Sequence, residues 1–247
     1  MNNPGLESFC DLIKFNEDAD RKINLDMKDD IEIIWYPGCG GDISPCTILE
    51  KYEFEKKKHI SFSGNRIYFF TDPDRYHLFE KAHGDNYNIY DLTNSDNIHD
   101  RVTVNDLKIE DIYLKSGSAE KITGWYITYS VESAQIRIIY LKMTMQDFLC
   151  NYVKEYSLSI KWLFYLNMEN KGGPLFNLFE EKNIEYPEWI CANRINKFGI
   201  GQYVEELLPM EDWFKIKKDN DGNGVMYGAM KRRGNFIEDR SNSIKTE

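Results

Sequence analysis

Residues 31 to 36, IEIIWY, set five apolar side chains around a single charge, and that pattern does not suit a half-solvated surface. Successive β-branched and aromatic side chains need cover on both sides of a pleated strand. RIYFF at 66–70, IKWLFYL at 160–166 and EWICANR at 188–194 have the same character. Between them lie segments with apolar residues at helical spacing. Ser44–Glu55 carries Ile48, Leu49 and Tyr52, Met145–Tyr156 carries Phe148, Leu149, Tyr152 and Val153, and Pro174–Glu181 opens on a proline. Strands alternating with helices predict an α/β fold with a mostly parallel sheet, covered on both faces and joined by right-handed crossovers. Near the end, Trp213–Lys217 and Val225–Lys231 flank the turn DNDGNG, a signal for an antiparallel hairpin.

A chain of 247 residues with 42% hydrophobic content can bury a substantial core. The expected division is an N-terminal helical leader over 1–30, built on Leu6, Phe9, Leu12 and Ile13, a main domain over 31–234, and a flexible tail over 235–247. Within the main domain, 85–135 is polar enough at its start to hold an insertion, with strands at Asp111–Leu114, Trp125–Tyr129 and Gln135–Lys142. Short helices are expected at Tyr76–Ala82 and Gln202–Leu208, the latter stopped by Pro209.

The net charge of −10 disfavours general nucleic-acid binding, because a polyanion is repelled except at a local basic patch such as Lys231, Arg232 and Arg233. Five scattered cysteines without a CxxC pair point to a reducing compartment rather than a disulfide framework or zinc site. With no signal-like apolar core and no membrane-length run, the expectation is a soluble cytoplasmic protein without a membrane partner.

The stretch following the first strand carries the functional reading. Pro37, Gly38, Cys39, Gly40 and Gly41 make a sharp glycine turn, and Asp42 or Ser44 caps the helix that Pro45 opens. A strand, a glycine turn and a helix N-terminus in that order form a seat for a nucleotide-like ligand. The second strand ends in Asp72 about thirty residues later, where nucleotide-binding folds place a carboxylate that accepts both ribose hydroxyl protons. Asn167, Glu169 and Asn170 follow the strand at 160–166, and Asn193 and Arg194 end the next one. Those positions fall on the carboxyl edge of the sheet and are candidates for substrate contact.

The string PGCGGD at 37–42 resembles the first glycine motif of the class I S-adenosylmethionine-dependent methyltransferase superfamily, particularly the Pro-Gly-Cys-Gly form of thiopurine-methyltransferase-like enzymes. The resemblance implies a Rossmann-like three-layer sandwich whose mostly parallel sheet ends in an antiparallel hairpin. It implies S-adenosylmethionine held by Tyr36, Pro37, Gly38, Cys39, Gly40, Asp42 and Asp72, and a small-molecule or protein side chain as methyl acceptor. Trp35 and Tyr36 stand where the superfamily carries an acidic residue, and no Asn-Pro-Pro-Tyr signature follows residue 166. A catalytically inactive nucleotide-binding module, or a protein-interaction module without a small ligand, are the alternatives.

Other motifs have plain explanations. Asp219, Asp221, Asn223 and Gly224 open like a calcium loop, but Met230 occupies the position of the bidentate glutamate, so a hairpin turn is the expected role. His77 and His83 are six residues apart, a spacing that does not share a helix face, and no metal site is expected from them.

Overall fold

The structure is a computed structural model that describes residues 4–25, 31–39, 45, 46, 49, 65–73, 104–115, 121–131, 134–165, 172–193, 204–207, 214–218 and 224–232. Helix α1 (Pro4–Cys10) leads into β1 (Ile13–Phe15). The strands β2 (Ile31–Pro37), β3 (Asn65–Thr71), β4 (Val104–Lys115), β5 (Lys121–Val131) and β6 (Ala134–Leu141) follow. Helix α2 (Met145–Phe148) runs on into a π-helical turn at Leu149–Val153. The remaining elements are β7 (Ile160–Tyr165), α3 (Gly172–Glu181), β8 (Trp189–Asn193), β9 (Val204–Leu207), β10 (Phe214–Lys218) and β11 (Gly224–Arg232).

The eleven strands among the described residues join one sheet in the order β1-β4-β5-β6-β3-β2-β7-β8-β11-β10, with β9 also against β11. The centre, β6-β3-β2-β7-β8, is parallel. Both flanks are antiparallel: β1, β4, β5 and β6 on one side, and β8, β11, β10 and β9 on the other.

This corrects the expectation of a Rossmann-like three-layer α/β sandwich on a mostly parallel sheet. Antiparallel strand pairs outnumber parallel ones, six against four. Among the described residues the helices of substance are short and lie against one face, leaving a fold that is mostly mixed sheet with few helices. The physical reason lies in residues 104–141, where β4, β5 and β6 follow one another closely in the chain and pair directly as antiparallel neighbours, so no helical crossover is needed.

Three smaller corrections follow. Ile13 belongs to β1, paired with Leu114, rather than to a leader helix. The strand expected at 111–114 is the end of a twelve-residue strand. Val204–Leu207 is a strand on β11, where a helix was expected, because a four-residue segment with two glutamates between apolar ends takes whichever backbone its neighbour can hydrogen-bond.

One face of the sheet carries a continuous aromatic core. Phe9 of α1 lies 5.4 Å from Phe69 and 5.2 Å from Tyr152, ring centre to ring centre, while Trp35 sits between Phe148 at 5.3 Å and Phe179 at 6.3 Å. On the opposite face Ile34, Tyr36, Tyr68, Phe70, Tyr140, Trp162 and Phe164 are equally buried. Local signals bound the helices. The Thr144 hydroxyl accepts from the Asp147 amide at 3.0 Å to open α2, and the left-handed residues Ser157 and Asn183 let the chain turn away after the two C-termini. No helix among the described residues is long and apolar enough to cross a membrane.

Candidate functional site

The carboxyl ends of β3, β2 and β7 share one edge of the parallel centre. β2 comes first in the chain among these strands; β3 and β6 lie on one side of it, β7 and β8 on the other. The chain thus departs from β2 in both directions, and in open sheets the crevice outside such a divergence receives ligands.

The ends of β2 and β3 are level. Pro37 pairs with Thr71, and one residue further the Gly38 amide donates to the Thr71 carbonyl at 2.7 Å. Gly38 has φ 64°, in the left-handed region where a side chain is strained and glycine is not. Its amide is therefore committed to the neighbouring strand, and its contribution to a site is the bend rather than a donor. Asp72 follows Thr71 directly, and its amide donates to the Leu141 carbonyl of β6 at 3.3 Å. The glycine bend and the carboxylate-bearing residue thus stand side by side at one sheet edge.

The floor beneath them is rigid and mainly apolar. Tyr36 meets Phe70 edge to face at 5.3 Å, and the Trp35 indole N–H donates to the Thr71 hydroxyl at 3.1 Å. The sequence reading passed over Thr71 and gave Trp35 as a buried strand residue and a departure from an acidic pattern, not as a hydrogen-bond donor. The hydroxyl at the end of an otherwise apolar strand was the available signal. At the β7 end, burial pushes the Tyr165 phenol well above its ordinary range, so it stays neutral and offers no charge to the edge. Cys191 on β8 is likewise held protonated by burial.

Of the residues expected to hold a cofactor, Tyr36, Pro37, Gly38, Cys39 and Asp72 are gathered at this edge, and all but Gly38 are buried. Pro45, Cys46 and Leu49 have helical backbone and are buried, in keeping with a helix after the turn. Gly40 and Asp42 lie outside the described residues, as do Asn167, Glu169 and Asn170. Asn193 ends β8 opposite Tyr227 of β11. All four histidines and residues 219–223 are also outside the described part. Among the described residues no group of three or more histidine, cysteine or acidic side chains is placed to hold a metal, and none of the five cysteines is in a disulfide. Compared with known proteins, the chain matches no family model, no curated protein and no solved structure.

Proposed function

We propose that the chain is a methyltransferase-like protein that binds S-adenosylmethionine across the carboxyl ends of β2 and β3. The observation that carries this reading is the Gly38 amide on the Thr71 carbonyl, which sets a left-handed glycine bend beside Asp72. In this reading the glycine turn lets the ligand approach the backbone, and the Asp72 carboxylate accepts from both ribose hydroxyls. The methyl acceptor, a small molecule or a protein side chain, would enter from the β7 side, where 167–170 continue the chain. Methyl transfer in such a site depends on alignment of donor and acceptor, so it requires few acid-base groups.

A second reading is supported by one specific observation. Asp72 is only 4% exposed and Cys39 3%, which favours a closed, catalytically inactive module that serves a nucleotide or a protein partner. Calorimetric titration with S-adenosylmethionine and S-adenosylhomocysteine separates the two. The first reading expects saturable heats from both, weakened by about 100-fold or more in Asp72→Ala, as the loss of two hydrogen bonds to a charged group implies. A folded protein that yields no heat with either ligand abandons the first reading for the second.

A further inference from the structure

β2 and β3 face a registration problem. Side chains alternate between the faces of a strand, so a one-residue slip ordinarily moves a buried set into solvent and is resisted. Here Ile33, Ile34, Trp35 and Tyr36 are all buried, as are Ile67, Tyr68, Phe69 and Phe70, and a slip merely exchanges one apolar neighbour for another. The pairing nevertheless runs unbroken from Ile31 opposite Asn65 to Pro37 opposite Thr71. On its other side β2 pairs with β7 less regularly, with a shift between Ile33 and Ile34.

The difference lies in two polar marks. Glu32 and Arg66 are the only charged residues in β2 and β3, and they pair directly in register. Their side chains are 8% and 4% exposed, with Arg66 Nε 3.8 Å from Glu32 Oε2. At the far end, the Trp35–Thr71 hydrogen bond closes the same strand pair. We infer that Glu32 and Arg66 are positioning residues: their ion pair sets β2 against β3 and thereby brings Gly38 level with Asp72, six residues along each strand. Slipped by one residue, Arg66 would face Ile33 or Ile31 and Glu32 would face Asn65 or Ile67, so two buried opposite charges would be drawn apart, a large penalty compared with the near-neutral exchange of apolar contacts. Fixing register is the best attested use of a buried polar pair, and it does not require the pair to add net stability. The inference holds whether or not the edge takes a ligand.

The test is amide exchange followed residue by residue by NMR on Glu32→Met/Arg66→Met, which replaces the pair by apolar side chains of similar reach. The expected result is a protein that keeps its far-UV spectrum and the protection of β5 and β6. Gly38, whose amide donates across the β2–β3 pair, should lose protection at least tenfold, with a second set of amide signals for β2 and β3. General destabilisation would lower protection across the sheet instead, and that pattern, or a single unchanged set of signals, overturns the inference. If the double variant does not fold, Arg66→Lys is compared with Arg66→Gln. Wild-type exchange in the lysine variant with doubled signals in the glutamine variant supports the role; a single wild-type set in Arg66→Gln refutes it.

Discussion

In the centre of the sheet β2, β3 and β7 are buried at nearly every position, whereas along β4 Asp111, Tyr113 and Lys115 remain exposed or half-buried and Ile112 and Leu114 are buried. Both patterns belong to one sheet, yet they state different things about their surroundings. Strict alternation assigns each residue to a face and so defines the register of an antiparallel flank. Continuous apolarity defines burial but leaves register open, and in the centre a few polar contacts supply what alternation supplies at the flank. The candidate site grows from the centre, so its geometry depends on those contacts.

The sharpest way to break this contrast is at the seam between flank and centre. Gly124 of β5 faces Leu141 of β6, and a Cβ there would stand 1.9 Å from the Tyr140 carbonyl oxygen. Because the obstacle is backbone, Gly124→Ala is expected to cost about 4 kcal/mol or more, or to prevent folding, read from urea denaturation or from the yield of soluble protein. Next comes a pair of truncations. Phe69→Ala, in the centre between Phe9 and Phe148, should cost about 3 to 5 kcal/mol. Tyr113→Ala, half-buried at the flank, should cost only about 1 kcal/mol. Equal losses in the two would refute the distinction.

The smallest effect concerns the charged rim of the flank. Glu110 accepts a hydrogen bond from Arg21, which also lies 3.7 Å from the centre of the Phe15 ring, and it pairs with Lys108 at 3.0 Å. Partial burial pushes the Glu110 carboxyl up, but the hydrogen bonds and charges of Arg21 and Lys108 outweigh it, and the net shift is downward. A folded-state value below the ordinary 4.5 means that this group stabilises the fold above that pH and that the contribution is lost as pH falls through the lowered value. Glu110→Gln should therefore cost up to about 1 kcal/mol at neutral pH. The gap between variant and wild type should close in acid, as followed by thermal melts across the pH range. A gap that persists below the shifted value would show that the loss is packing rather than charge.

Much of the strand inventory was legible because burial leaves its mark on composition. The runs at 31, 65, 160 and 189 are apolar on both faces, and the Asp-Gly and Asn-Gly turn near 222 announces the paired strands at its sides. The apolar spacing of Phe148, Leu149, Tyr152 and Val153 marks α2 and its continuation in the same way. Residues 104–110 escaped notice because Asp106, Lys108 and Glu110 are charged and stay exposed or half-buried at this end of the strand, and polarity there reads as loop. The segment at 204–207 was ambiguous for the opposite reason: four residues are too few for either period to declare itself. For the candidate site, the glycine bend and Asp72 were visible as residues, while Thr71, which joins them, was not.

Local chemistry thus settled where this chain must be buried, where it can turn, and which residues can bend or carry charge at a strand end. It said nothing reliable about which strand lies beside which, since an apolar strand is satisfied by any apolar neighbour and hydrogen-bonds to either direction of partner. The antiparallel flanks, the alignment of Glu32 with Arg66, and the meeting of Gly38 with Thr71 and Asp72 arise only when segments distant in the chain compete for the same edges. Pairing energy is shared between two strands, and neither one encodes it alone.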